Sequence, residues 1–201
     1  MRTRLPTYAL MLTLAAITAC GGVGTAASAG QPAGPAGYGT MIQDEFTLTL
    51  ESGALRLKVT PLAESVIRLA APDTYERLAG LARSSRPVLR SQADANSSLF
   101  LVSFFTRDPT VRYEPESLHI VNGGLRYRPE AIRAITPGWG EQRLRQEEIQ
   151  MAVYAFNPAI DLEITLTVEY EGARDTSWEG IVTRLELERA RVRGRTGSPL
   201  F

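Results

Sequence analysis

The chain contains one cysteine, Cys20, and one histidine, His119. These two residue types supply most protein nucleophiles, general bases and zinc ligands, so their scarcity narrows the chemistry. A Ser-His-Asp relay would have to use His119, yet no nucleophile-elbow pattern frames any serine. A zinc site would rest mainly on carboxylates, which is unusual. Neither EF-hand spacing nor a GxGxxG or Walker pattern occurs, so calcium and nucleotides have no motif. Glu147-Glu148 is a carboxylate pair, but neighbours on a strand point to opposite faces and are poorly placed to share a substrate. Asp161, Glu163 and Glu169 read as a solvated strand face. His119, in SLHIV, points away from the face of Leu118 and Ile120 and reads as a strand histidine that titrates in water or pairs with a neighbour. The expectation is therefore no catalytic residue and no metal site.

Two features stand out as surfaces. In TPGWG, residues 136 to 140, Trp139 lies on a glycine-flanked loop. An exposed loop tryptophan supplies a large contact area at low entropy cost; alternatively the ring folds back and plugs the end of the fold. In RARVRGR, residues 189 to 195, a strand would gather Arg189, Arg191, Arg193 and Arg195 on one face. Such a basic stripe suits lipid phosphates, peptidoglycan carboxylates or an acidic protein, or else acts as a charged edge that prevents edge-to-edge pairing.

The surroundings of Cys20 are more informative than its chemistry. Arg2 and Arg4 form a positive n-region, and Tyr8 to Ile17 an apolar h-region. That run is about ten residues, half of what a membrane span needs. It ends Ile17-Thr18-Ala19-Cys20-Gly21. The stretch resembles the lipobox of bacterial lipoproteins: a branched apolar residue, two small residues, then cysteine. Ile17 stands where leucine is commonest in that family. The resemblance covers about twenty residues of signal-peptide pattern. It implies removal of residues 1–19 and a diacylglycerol and an N-acyl chain on Cys20, with no other cofactor. Two or more chains make membrane attachment stable. No later segment is apolar enough to span. Gly21 in place of aspartate favours the outer membrane under the family's sorting rule in Gram-negative cells.

Residues 20–43 continue as a Gly, Ala, Ser and Pro tract that cannot bury enough surface to fold. As a tether it spans roughly 25 Å. The expected domain occupies residues 44–195, with residues 196–201 as a tail. It can build a core without staples, and with Cys20 lipidated no disulfide is available. The formal charge is zero, so bulk attraction to nucleic acid is not expected.

Period-two alternation dominates this domain. EFTLTL and ALRLKV flank a Glu-Ser-Gly turn as a hairpin, and SVIRLA reads as a third strand. Pro72 to Glu76 opens one helix of about ten residues, with Asp73 as N-cap and Glu76 as its capping-box partner. Residues 84–97 read as a long polar loop. LFLVSFF is apolar on both faces, as a central strand would be. SLHIV-NGG-LRYRP is a second hairpin. EIQMAVYAF and IDLEITLTVEY flank the Asn157-Pro158 turn, and Ile160 to Tyr170 is the longest alternating run. IVTRLELERARVR reads as a strand, with a helix capped by Thr176 and Glu179 as the alternative. The predicted fold is all-β: an antiparallel two-sheet sandwich, immunoglobulin-like in the broad sense, with one short helix. The functional expectation is a membrane-anchored envelope lipoprotein whose sandwich binds or assembles without catalysis. Its partner would be an envelope protein or polysaccharide. A carbohydrate-binding or enzyme-accessory domain using Trp139 is the alternative, and a hydrolase the remote third.

Overall fold

A computed structural model describes residues 36–197. The signal peptide, Cys20, the first part of the tether and residues 198–201 lie outside the described residues. The elements run β1 Leu48–Ser52, β2 Leu55–Pro61, α1 Glu64–Ile67, α2 Pro72–Leu89, β3 Ser98–Thr106, β4 Thr110–Arg112, β5 Leu118–Asn122, β6 Leu125–Tyr127, β7 Ala131–Ala134, β8 Arg143–Arg145, β9 Ile149–Phe156, β10 Leu166–Tyr170, β11 Ala173–Asp175 and α3 Trp178–Thr196.

The strands form antiparallel sheets. A five-stranded sheet has the order β1-β2-β3-β9-β7, a four-stranded sheet the order β11-β10-β5-β6, and β4 pairs with β8. The first hairpin forms in the register its alternation requires, Leu48 opposite Val59 and Leu50 opposite Leu57, so the apolar side chains share one face. Gly53, at φ 57°, makes the turn. β3 is central, between β2 and β9, and Phe100, Val102 and Phe104 are buried on it along with Leu99 and Leu101. The NGG turn joins β5 to β6 with Gly123 and Gly124 both at positive φ. Between the sheets, Phe104 of β3 meets Tyr170 of β10 edge-on at 5.6 Å. The sheet alternation thus produces the antiparallel β sandwich that it predicts.

Four segments differ from their sequence expectation. SVIRLA is not a strand: Glu64–Ile67 is a helical turn that buries Val66 and Ile67. The first long helix starts at Pro72, with Ala71 and not Asp73 at the N-cap, and it takes in the first part of the expected loop, as far as Leu89. Ser85 is fully buried there and accepts a hydrogen bond from Arg133 Nη1 at 2.7 Å, which ties the helix to β7. The Ile160–Tyr170 run pairs only from Leu166 onward. Residues 181–193, read as a strand with a helix as the alternative, belong to the nineteen-residue helix α3.

The folded part also begins before Asp44. Met41 is buried at 4% exposure and bridges Ala70 in parallel, its N–H donating to Leu69 O. Gly39 lies so close to Leu69 that an added Cβ would fall 2.0 Å from its carbonyl oxygen, so only glycine fits. Residues 38–43 are therefore part of the domain and not of the tether.

Candidate functional site

Two clusters carry the residues singled out by sequence. The first surrounds Trp139. The turn at Pro137-Gly138, with Gly138 at φ 86°, leads into a single 3-10 turn Trp139–Glu141 that folds the indole back onto the sandwich. The ring is half-buried and meets Tyr113 at 5.4 Å, Phe104 at 5.8 Å and Tyr154 at 6.2 Å, all edge-to-face. Trp139 closes the end of the core, so it is not a free stacking platform. Below it, Tyr113 Oη donates to Gln150 Oε1 and lies 3.3 Å from the Trp139 carbonyl oxygen. Gln150 Nε2 donates to Glu148 Oε1 at 2.8 Å and to Arg143 O at 3.1 Å. These bonds use both donors of the buried Gln150 amide and give its oxygen a donor.

Proton affinities in this cluster follow from the packing. Burial raises the phenol of Tyr113, with the Glu148 carboxylate adding to the effect. Burial likewise pushes Tyr170 up to about 12 and Tyr154 well above its ordinary value. Glu148 moves the other way, because Gln150 and the Arg145 backbone N–H donate to its carboxylate. The phenols stay protonated at neutral pH and act as hydrogen-bond donors and packing surface. Tyr113→Phe would leave the buried Gln150 oxygen without its donor. That loss is expected to cost about 1–3 kcal/mol of stability, measured as a shift in denaturant midpoint. A shift below about 0.5 kcal/mol, the level of a surface change, would mean the bond is not structural.

Of the other sequence candidates, His119 and Glu169 are cross-strand neighbours, and Glu147 and Glu148 lie in a different turn. Glu147 is exposed at φ 59° in the β8–β9 turn, while Glu148 folds back to Gln150 and the Arg145 N–H. His119 lies on the outward face of β5, its Nδ1 2.8 Å from Ser117 O, opposite Glu169 across the β5–β10 pair. Glu169 itself is held between Arg126 and Arg174 at 3.0 and 2.9 Å. Among the described residues, no group of three or more His, Cys, Asp and Glu is placed to hold a metal ion.

The second cluster is α3, and here the basic stripe is corrected. On a strand, residues two apart share a face; on a helix they alternate between flanks. Arg189 lies on one flank, 12% exposed, and grips Glu163 with both guanidinium nitrogens at 2.9 and 2.8 Å while also reaching Glu186. The Glu163 hydrogen bonds raise its proton affinity further. Arg191 and Arg195 occupy the opposite flank and share one carboxylate, Glu188, at 3.4 and 3.0 Å. Arg193 also has a partner and belongs to the Arg189 side of the helix by spacing. The arginines are thus largely ties within the fold, not a row on one face.

Glu188 was missed from sequence because it reads as one more surface charge. Its side chain is only 2% exposed. It accepts from Thr40 N and Thr40 Oγ1, both at 3.0 Å, as well as from the two arginines. Arg195 Nη1 also donates to Tyr38 O. One carboxylate therefore fastens the start of the folded chain to the last helix. Comparison with family models, with curated proteins and with solved structures finds no match to this chain.

Proposed function

We propose that this protein is a lipid-anchored envelope lipoprotein whose β domain is a non-catalytic binding or assembly module. One observation carries the anchor: Arg2 and Arg4, the apolar run Tyr8–Ile17, two small residues and the lone cysteine fall in the order and spacing of a lipobox. Gly21 favours the outer membrane if the cell is Gram-negative. Among the described residues, no helix is long and apolar enough to cross a membrane, so attachment in this reading rests on the acyl chains. The binding role is supported by how the ionisable groups are used. Glu188, Glu148, Glu169 and Arg189 are each occupied by partners within the fold, and the phenols with raised proton affinity serve the core. Trp139 packed edge-on against three rings weighs against the carbohydrate-stacking alternative.

The anchor is tested on the protein from its native host. The N-terminal peptide of the mature chain is expected to begin at Cys20 and to carry the mass of two or three acyl chains, and the protein to partition into detergent. Cys20→Ala is expected to leave an uncut or differently cut precursor in the aqueous phase. Wild-type protein with an unmodified Cys20 would end this reading.

A further inference from the structure

The hydrogen bonds that fasten residues 38–45 to α3 also leave a surface beside it. This segment runs alongside the helix in the opposite direction: Tyr38 O meets Arg195, Thr40 meets Glu188, and Glu45 O accepts from Arg184 Nη2 at 3.0 Å. On α3, Leu187 lies three residues after Arg184 and four before Arg191, so the three share one flank. Tyr38, Ile42 and Leu187 are 50%, 60% and 56% exposed, three of the large apolar side chains the domain leaves to solvent. Tyr38 and Ile42 belong to the segment bonded to Arg195, Glu188 and Arg184, and Leu187 lies between Arg184 and Arg191 along the same flank of the helix. Arg184 is bonded to a carbonyl oxygen, and Arg191 and Arg195 share a single carboxylate. The three guanidinium groups therefore have one carboxylate partner between them, Glu188, while the Glu45 carboxylate accepts from Ile42 N.

We propose that this flank of α3, with Tyr38, Ile42 and Leu187 at its apolar positions, docks on an anionic lipid surface, the membrane that carries the protein's own anchor. The inference rests on the lipoprotein reading above. Two facts favour lipid over a protein occupant. The first is connectivity: Tyr38 is both a member of the patch and the point where the segment leading from Cys20 joins the domain, so this flank is the part of the domain nearest the anchor along the chain. The second is composition. A tyrosine and aliphatic side chains amid arginines match the interfacial layer, where aromatic rings and aliphatic tips enter the headgroup boundary and guanidinium groups meet phosphates. One clasp thus does two things, ending the tether at a fixed point and orienting the flank beside it.

The test uses the whole chain joined through the Cys20 thiol to a maleimide lipid, so it does not depend on acylation in the cell. The coupled protein is placed on nanodiscs of phosphatidylcholine and phosphatidylglycerol that contain a gadolinium-chelating lipid, and backbone amide signals are recorded. Paramagnetic broadening is expected to be strongest at Ile42, Leu187 and Arg191. Ile149 is the control: it is 52% exposed and pairs with Phe105 at the turn end of the five-stranded sheet, far from residues 38–45. Ile42→Ser with Leu187→Ser is expected to reduce broadening on the flank to the level at Ile149. Raising ionic strength to about 1 M, where the screening length falls to about 3 Å, is expected to weaken it. Equal broadening at Ile149 and Leu187, or broadening unchanged in the double variant, overturns the proposal. Concentration-dependent broadening of the same amides without gadolinium would assign the flank to a second copy of the chain and overturn it as well. An unmodified Cys20 in cells would remove the anchor alone, and the nanodisc measurement would still decide whether this flank binds lipid.

Discussion

Trp178→Ala is expected to lower the stability of the domain by about 3–5 kcal/mol, the largest single-residue loss anticipated in this chain. The indole is fully buried and is the first residue of α3. Its Nε1 donates to Leu162 O at 3.0 Å, which pins the 160–165 segment against the helix start. With Ile181, Leu185 and Val192 it forms the row through which α3 joins the core. Truncation to alanine removes a fully buried ring and frees a carbonyl that the indole satisfies. Trp178→Phe separates these contributions: most of the volume remains while the donor is lost, so about 1 kcal/mol of the cost should persist. Both are read from chemical denaturation with intrinsic fluorescence and far-ultraviolet dichroism. Because a typical domain has only about 5–15 kcal/mol to lose, the alanine variant should also melt several degrees lower. A loss under about 1 kcal/mol for the alanine variant would mean that α3 does not depend on this residue.

That helix is also where the sequence misleads most, for a physical reason. Its buried row is Trp178, Ile181, Leu185, Glu188 and Val192, spaced three, four, three and four. The spacing is helical, but a glutamate occupies one of the five buried positions, so the apolar stripe looks broken. Meanwhile Ile181, Leu185 and Leu187 mimic alternation, although Leu187 is exposed. The capping alternative at Thr176 and Glu179 points to the right element within one or two residues.

The 160–165 segment fails differently. Asn122, buried on β5, donates to Asp161 O at 2.8 Å and Thr165 O at 3.1 Å and accepts from Asp161 N. One side chain takes the place of the sheet ladder, and alternation within a segment carries no sign of a polar residue forty positions earlier. By contrast, the β1–β2 and β5–β6 hairpins and the doubly apolar β3 are local or self-contained, and their periods suffice. Of the candidate residues, Trp139 is legible as a loop residue, but its burial depends on Tyr113, Phe104 and Tyr154, which reach it from distant parts of the chain.

Glu188→Ala is expected to destabilise the domain by about 1.5–3 kcal/mol at neutral pH, the range for hydrogen bonds to a charged group. Its side chain is almost fully buried, whereas Arg191 and Arg195 are 67% and 39% exposed, so the arginines recover hydration when the carboxylate is removed. The cost should therefore fall short of that for leaving a charge stranded in the core. Burial raises the Glu188 carboxyl, but the Thr40 hydroxyl, Arg195 and the Thr40 N–H outweigh it and hold its pKa below the ordinary 4.5. The sign follows from linkage. A carboxyl whose pKa is depressed on folding contributes stability above its unfolded pKa and loses it as pH falls through the folded value. The gap between wild type and Glu188→Gln should therefore be full at pH 7 and shrink as acid protonates the wild-type carboxyl. The same clasp holds Tyr38 and Thr40, so a chain beginning at Asp44 should lose Met41 from the core and resemble the alanine variant or be weaker. Equilibrium unfolding of wild type, Glu188→Gln, Glu188→Ala and the chain beginning at Asp44 across pH 3 to 7 checks all three statements. A gap that stays constant with pH, or one that widens in acid, would show that the carboxylate charge is not what joins the start of the folded chain to its last helix.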